Sequence, residues 1–527
     1  ALALGVVHPF ASGIGGGGFA LVHLTKERKT FALDFRERAP AAVRAEMFIK
    51  DGKADPALSR VGGLAVAVPG EVRGLAELVR RFGRLPFARC VAPAEALARG
   101  AARVSWRLAE VVEKEKDKDK DKEKTAARDR AGADGQVGGQ RFLETIFDKA
   151  PGRPLALGVG DTFRRGDLAR TLARLRARGA DAFYKGEIAE KLVASVRDAG
   201  GVMSRDDLER YAPVERTPIE VRYRGLRVLS MPPPSSGGVA LAQTLGILAA
   251  RFPEAADLMK LGWGSSAYLH ALAEATKHAF ADRARHLGDP DFVKVPLDRL
   301  LSPDYHAELA RRLKDNAVGP SDSYGTPDAP ADLHRDGGTT HLSVVDAEGN
   351  AVALTTTVNL GFGARFVAGK TGVLLNDQMD DFAMQPGVPN GFGLIGSAQN
   401  AVAANKRPLS SMTPTIALRG DEVKLVVGAA GGPTIITATT QVFLNVIDWN
   451  MDAQAAIAAP RVHHQWFPEV LMTEPEISRD VSDGLTKRGH KVRQIPHIGV
   501  SNLIVRNPGG SLEVAAEPRS PSTPAGY

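Results

Sequence analysis

The spacing of apolar side chains changes along the chain. In residues 66–112 it is three and four, as in Glu71-Val72-Arg73-Gly74-Leu75-Ala76-Glu77-Leu78 and Ala92-Pro93-Ala94-Glu95-Ala96-Leu97-Ala98, which predicts helices. The same period returns in 162–212 and in 264–287, where Ala271, Ala275 and Phe280 are among the apolar positions. Phe19-Ala20-Leu21-Val22 and Thr30-Phe31-Ala32-Leu33 read as strands. Beyond position 338 short strand-like runs dominate. Leu342-Ser343-Val344-Val345, a turn at Asp346–Asn350 and Ala351-Val352-Ala353-Leu354 predict a hairpin. Val373–Leu375, Thr415–Leu418 and Val423–Val427 add strands, about Thr434–Asp448 a helix, and Asn502–Val505 with Leu512–Ala515 a last pair of strands. Strands followed by helices in both halves fit two sheets enclosed by helical layers, an α+β arrangement.

Two stretches break these patterns. Glu113 to Lys124 alternates acid and lysine, which on a helix puts opposite charges at i,i+3 and like charges at i,i+4, so the pair energies largely cancel. We read 113–140 as a solvated low-complexity insertion. Residues 315–336 are rich in Pro, Asp, Ser and Gly and read as a processing linker.

Composition excludes more than it identifies. The 527 residues are 43% hydrophobic and 24% charged, with 68 basic and 61 acidic side chains, a net charge of +7. That mixture suits a solvated surface better than a nucleic-acid footprint. No apolar run is long enough for a spanning helix. One cysteine, Cys90, excludes an intrachain disulfide framework and a cysteine-rich metal site. His270 and His278 share the predicted 264–287 helix without an evident third ligand, and read as surface or core histidines. Gly15 to Gly18 lacks the Gly-Lys-Ser/Thr ending of a phosphate loop and precedes a strand, so it reads as a turn permitting close backbone approach.

The chemistry concentrates at Gly337-Gly338-Thr339. Cutting the Gly338–Thr339 bond would give Thr339 a free α-amine beside its own hydroxyl, nucleophile and base in one residue. On its own the triplet also reads as an ordinary loop-to-strand junction. Thr357 and Asn359, two apart on one strand, point to one face. Gly431-Gly432-Pro433, just before a predicted helix, would let two backbone amides face an oxyanion, or serve as a plain strand-to-helix turn.

The segments Thr339–Asp346, Leu375–Phe382, Asn405–Met412 and Gly431–Pro433, with Ser12–Phe19, Asp34–Glu37 and Pro233–Gly238 upstream, closely resemble the γ-glutamyltransferases, or glutathione hydrolases, over nearly the whole chain. The resemblance implies the four-layer αββα sandwich of the N-terminal-nucleophile hydrolases. It implies self-cleavage into a large portion, 1–338, and a small catalytic portion, 339–527, held as a heterodimer. Thr339 is then the nucleophile, Thr357 orients it, and Gly431 and Gly432 form the oxyanion hole. Arg36 matches the clamp for the substrate α-carboxylate, aided by Ser410 and Ser411. Asp381 matches the anion for the ammonium group, with Gln378 and Asn359 as neutral partners, while Asp380 is structural. A substrate carrying both charges calls for Arg36 and Asp381 held apart. Residues 382–394 resemble the lid, and Phe392 stands where many members have tyrosine, which removes a latching hydroxyl.

The expected substrates are glutathione and other γ-glutamyl compounds, with amino acids or dipeptides as acceptors, and no metal or organic cofactor is implied. The resemblance also implies a periplasmic or secreted enzyme and a chain that normally begins further upstream. A glutaryl or cephalosporin-type acylase on the same fold would keep Thr339, Gly431 and Gly432 but not the head-group pair Arg36 and Asp381. An unprocessed, inactive binding relative would remain one intact chain.

Overall fold

The computed structural model describes residues 1–126, 139–148, 155, 157–320, 324 and 337–526. The second part of the low-complexity stretch and most of the expected processing linker lie outside the described residues.

Two antiparallel sheets organise the fold. The first has the order β6-β7-β1-β2-β3, with β1 Gly17–Leu24, β2 Lys29–Phe35, β3 Val214–Arg216, β6 Gly337–Val345 and β7 Ala351–Leu360. The second has the order β11-β10-β9-β8-β5-β4, with β4 Ile219–Tyr223, β5 Leu226–Ser230, β8 Thr415–Arg419, β9 Glu422–Ala430, β10 Val500–Arg506 and β11 Leu512–Val514. Each sheet takes strands from both sides of the Gly338–Thr339 bond.

The period of two along each strand sorts side chains between two cores. Phe19, Leu21 and Ala32 of the first sheet meet Leu229, Ile416 and Val426 of the second in an apolar layer between the sheets. Ala20, Leu33 and Phe35 face outward onto helices α1 Glu71–Phe82, α2 Phe87–Ala96, α5 Gly166–Arg178 and α6 Gly186–Asp198. Val228, Leu425 and Val427 face the opposite way, onto α7 Gly237–Arg251, α8 Ser266–His286, α9 Pro303–Arg312 and α10 Thr434–Ile447. The result is an αββα sandwich, as expected. The interior glycines of β1 permit its pairing: a Cβ on Gly18 would sit 2.2 Å from the Thr355 carbonyl oxygen. A Cβ on Gly16 would sit 1.9 Å from that of Thr357, so the Gly15–Gly18 run is the close-approach turn its sequence implied.

The low-complexity stretch differs from expectation. Helix α3, Trp106–Ala126, runs through the alternating charges without a break. Its first turns are packed: Leu108 and Val112 are buried against Phe142, Leu143 and Phe147 around α4, Gly139–Ile146, and against Phe362. Glu115, next on that face, is buried and accepts two hydrogen bonds from Arg365, one of 3.0 Å. Ion pairs Lys114–Glu110 and Lys116–Glu113, both 2.8 Å, extend the helix outward. An anchored face supplies the nucleus that the cancelling charge pattern does not.

Candidate active site

The hairpin β6–β7 carries the centre of the site. Its register steps between Gly338, opposite Asn359, and Thr339, opposite Thr357, which is a β-bulge at the bond expected to break. Bulges re-aim groups that a regular ladder would hold in line. Here the hydroxyl of Thr357 donates to the carbonyl oxygen of Gly338. The Thr339 and Thr357 hydroxyls lie 3.0 Å apart, and the amide of Asn359 donates to Thr357 Oγ1 over 2.9 Å. Thr357 has one proton and has given it to the carbonyl, so it accepts from Thr339. Asn359 holds positive φ, 83°, and its side-chain amide donates to the Asp377 carbonyl over 3.1 Å.

Thr339 also faces the end of β9. Gly431 and Gly432 have φ of 130° and 60°, conformations that suit glycine. They turn the chain into α10, whose first residue, Thr434, sends its hydroxyl back to the Gly431 carbonyl over 2.7 Å. Among the described residues neither glycine N–H has a hydrogen-bond acceptor. A Cβ on Gly337 would lie 2.8 Å from the Gly432 nitrogen, so the chain just before the bond expected to break runs close to this turn. Two such N–H groups at a helix N-terminus can take developing negative charge.

Arg36, Thr339, Thr357, Asn359, Gln378, Asp381, Ser410, Ser411 and Gly432 line one small cavity of about 20 Å³, together with Phe392, Met412 and Ile435. The expected site residues therefore converge, but two of them differ in arrangement. Arg36 and Asp381 are not held apart: Arg36 Nη2 donates directly to Asp381 Oδ2. Two opposite charges with 1% and 10% side-chain exposure partner each other there. Gln378 Nε2 donates to the same carboxylate over 2.8 Å, and Arg36 Nε donates to the Pro408 carbonyl over 3.2 Å. Burial pushes the Asp381 carboxyl upward, with Arg36 opposing that shift. The upstream motif Pro233–Gly238 packs on this wall: Ser236 donates through its amide and its hydroxyl to the Ser410 carbonyl over 2.8 and 2.6 Å.

Asp380 is structural as expected. It accepts from Ser59 Oγ at 2.6 Å, Arg60 Nε at 3.1 Å and the Gly391 amide at 2.7 Å. His270 does have acidic and imidazole company, since its ligand atoms lie within 4.8 Å of those of Glu274 and His490. Those atoms are already engaged. The two rings share a 2.8 Å hydrogen bond, and His270 Nε2 bonds the Lys314 carbonyl over 2.6 Å. Glu274 accepts from Lys277, the Gly319 amide and Tyr324. His278 is buried against the Tyr324 ring, 4.5 Å between centroids, so both histidines belong to the core.

Sequence reasoning missed the run His463-His464-Gln465-Trp466. Its signal was a cluster of polar residues after an apolar helix, too common to single out. A second cavity, of about 770 Å³, opens on the opposite side of Thr339, and His463, Gln465 and Phe392 line part of it. His341, two residues from Thr339, is buried and spans Thr355 Oγ1 at 2.8 Å and Ser343 Oγ at 3.2 Å. Burial lowers it to about 3, so it is neutral.

A model of the gamma-glutamyltranspeptidase family matches residues 1–527. The chain is similar to the glutathione hydrolase proenzyme of Escherichia coli (strain K12), 42% identical over 520 residues that cover 98% of this chain and 85% of that protein. It is 36% identical over 532 residues to the glutathione hydrolase proenzyme of Bacillus subtilis (strain 168), covering 98% and 84%. Among solved structures, cephalosporin acylase from Bacillus halodurans superposes with a TM-score of 0.82 at 27% identity, covering 100% of this chain and 90% of that one. Helicobacter pylori gamma-glutamyltranspeptidase gives 0.53 at 36% identity, covering 60% and 84%. Shape alone thus groups the chain with acylases and transpeptidases alike, whereas sequence favours the second group. An Arg36–Asp381 ion pair and a threonine at a bulge line one cavity, and the family match runs from end to end: the chain belongs to the γ-glutamyltranspeptidase family and is a γ-glutamyl-transferring, glutathione-hydrolysing enzyme of the N-terminal-nucleophile fold.

Proposed function

We propose that Thr339 is the nucleophile twice, first on its own peptide bond and then on the γ-glutamyl amide. In the first step Thr339 Oγ1 attacks the Gly338 carbonyl carbon and passes its proton towards Thr357. The Gly338–Thr339 C–N bond breaks, the nitrogen takes up a proton, and an ester links Gly338 to the threonine oxygen. Water hydrolyses that ester, leaving a carboxylate on Gly338 and a free α-amine on Thr339. The observation that carries this reading is the single hydroxyl of Thr357, bonded at once to the scissile carbonyl and to the nucleophile.

In the second step the freed α-amine, which titrates near 8 in ordinary settings, serves as base. Thr339 attacks the γ-carbonyl of glutathione, the Gly431 and Gly432 amides take the developing negative charge, and the cysteinylglycine amine leaves with a proton. Arg36, with Ser410 and Ser411, binds the donor α-carboxylate. Asp381, with Gln378 and Asn359, binds its ammonium group. Water, or the amine of an amino acid or dipeptide arriving through the 770 Å³ cavity, then releases the glutamyl group from the ester.

Portions 1–338 and 339–527 stay together as a heterodimer, a reading supported by the strands they share in both sheets. On the family resemblance we place the enzyme in the periplasm or outside the cell, to be checked by fractionation. Among the described residues no helix is long and apolar enough to cross a membrane. The deciding experiment is N-terminal sequencing of the purified fragments. A small fragment beginning at Thr339 is expected, and any other start overturns the assignment.

A further inference from the structure

Phe392 lines both cavities at Thr339 and forms part of the partition between them. A Cβ on Gly432 would lie 2.7 Å from its ring, so the ring rests on the oxyanion turn. Its edge packs with Leu394, Ile395, Trp466 and Ile436. The backbone around it is a tight local turn: Asn390 Oδ1 accepts from the Phe392 amide at 3.0 Å and the Leu394 amide at 3.1 Å. Next to it the Gly391 amide is tied to Asp380 over 2.7 Å, but the turn itself does not fasten Phe392 to the body of the protein. With phenylalanine here, no ring hydroxyl does so either.

The fastening comes from the loop backbone. Gln465 Nε2 donates to the Phe392 carbonyl oxygen over 3.2 Å. Gln465 Oε1 is 2.9 Å from His463 Nε2, and His463 Nδ1 is 2.8 Å from Thr437 Oγ1. All three side chains are buried. One assignment of protons satisfies the contacts of Gln465 and His463, with the Thr437 hydroxyl giving its proton to the ring at 2.8 Å rather than to the Thr434 carbonyl at 3.2 Å. The Phe392 carbonyl can only accept, so the glutamine must present its NH2 there and its oxygen to the histidine. The histidine then donates from Nε2, and its Nδ1 accepts from the threonine hydroxyl. Burial lowers His463 to about 4, so the ring keeps this single-proton form at neutral pH. Thr437 lies in the first turns of α10, the helix that begins at the oxyanion turn.

We propose that Gln465 is the positioning residue that latches the lid over Thr339, with His463 and Thr437 fixing the direction of its amide. The latch ties lid closure to the helix behind the oxyanion hole and replaces a side-chain hydroxyl by a backbone carbonyl. It rests on the reading of Thr339 as nucleophile, because it assigns what holds the loop over that residue. An open lid would weaken donor binding and admit water to the glutamyl ester.

The test uses the full chain carrying Gln465→Glu or Gln465→Met. Glu keeps the acceptor for His463 and loses the donor for the carbonyl, while Met keeps the shape and loses both. Both variants are expected to raise the KM of a γ-glutamyl anilide at least fivefold while kcat changes less than twofold. The ratio of transfer to hydrolysis should fall in both. Amide hydrogen exchange in residues 388–395 should quicken at least tenfold, with the strands of both sheets unchanged. This exchange is measured on cleaved or uncleaved chains alike, so a processing defect does not remove the test. Unchanged exchange in the lid, or an unchanged KM in processed enzyme, overturns the latch. Fragment ends and residual activity report on Thr339 separately.

Discussion

Arg36 and Asp381, to which the proposed function gives opposite ends of an amino-acid head group, are bonded to each other. Both are largely buried, Arg36 to 1% side-chain exposure and Asp381 to 10%. On the proposed roles a donor would exchange one ion pair for two, its carboxylate taking the guanidinium and its ammonium the aspartate, so that neither charge is left without a partner. Glu37 Oε2, 3.6 Å behind Arg36, adds a second acid that burial pushes up to about 8.

That exchange sets a sharp specificity. Removing one partner of a buried pair costs about 3–5 kcal/mol because the other charge is stranded. Arg36→Gln and Asp381→Asn should each raise donor KM by a hundredfold or more. A glutaryl anilide, which lacks the ammonium group, should be a very poor donor for the native enzyme. Steady-state kinetics on the two anilides checks this, and equal turnover of both would remove the head-group role of Asp381.

Thr357 should matter to cleavage as well as to catalysis. Thr357→Val keeps the volume and deletes the hydroxyl that holds the Gly338 carbonyl and lies 3.0 Å from the Thr339 hydroxyl. Loss of a donor to a developing oxyanion costs about 10²–10³ in rate. Gel electrophoresis of a time course should show the intact chain persisting far longer than in the native protein. Thr339→Ala should stop cleavage and activity altogether.

Among its described side chains the charged helix packs through Leu108, Val112 and Glu115. Deleting 113–124 removes Glu115 and strands Arg365, whereas a shorter deletion of 119–124 spares that pair. The long deletion should lower stability by about 3 kcal/mol, as for a broken buried ion pair. The short one should leave the denaturation midpoint and kcat/KM within error of the native values. Urea titrations of both variants decide whether Glu115 anchors the helix.

The sequence made the chemistry more legible than its surroundings. Thr339, Thr357, Gly431 and Gly432 were singled out through the family resemblance, and the structure brings Thr339 and Thr357 within 3.0 Å of each other. The strands were readable because a period of two survives in β6–β7 and β8–β9. The Arg36–Asp381 contact was not, because spacing along the chain says nothing about two groups 345 residues apart. Glu113–Lys124 misled for a different reason. Local charge pairs cancel there, and the helix depends on Leu108, Val112 and Glu115 meeting partners far along the chain. Gln465 escaped notice because its role is set by a backbone carbonyl, which leaves no trace in the sequence of its partner.

Glu71 gives the fold a pH dependence whose sign is fixed by its surroundings. It opens α1, is buried, and accepts a 2.6 Å hydrogen bond from Thr356 Oγ1 on β7. Burial raises its carboxyl from the ordinary 4.5 to about 7, with the Thr356 bond opposing the shift. Below about 4.5 the group is protonated in both folded and unfolded chains, and its favourable contribution is fully present. Between 4.5 and 7 the unfolded chain releases the proton while the folded chain keeps it, so stability falls as pH rises. Above 7 both are ionised and the loss is complete, at most about 3 kcal/mol from a shift of this size. Glu71→Gln keeps an acceptor for Thr356 and cannot ionise. Urea midpoints measured from pH 4.5 to 8 should therefore fall for the native protein relative to this variant and level off above pH 7. Parallel curves across that range would show that the Glu71 carboxyl titrates at its ordinary value.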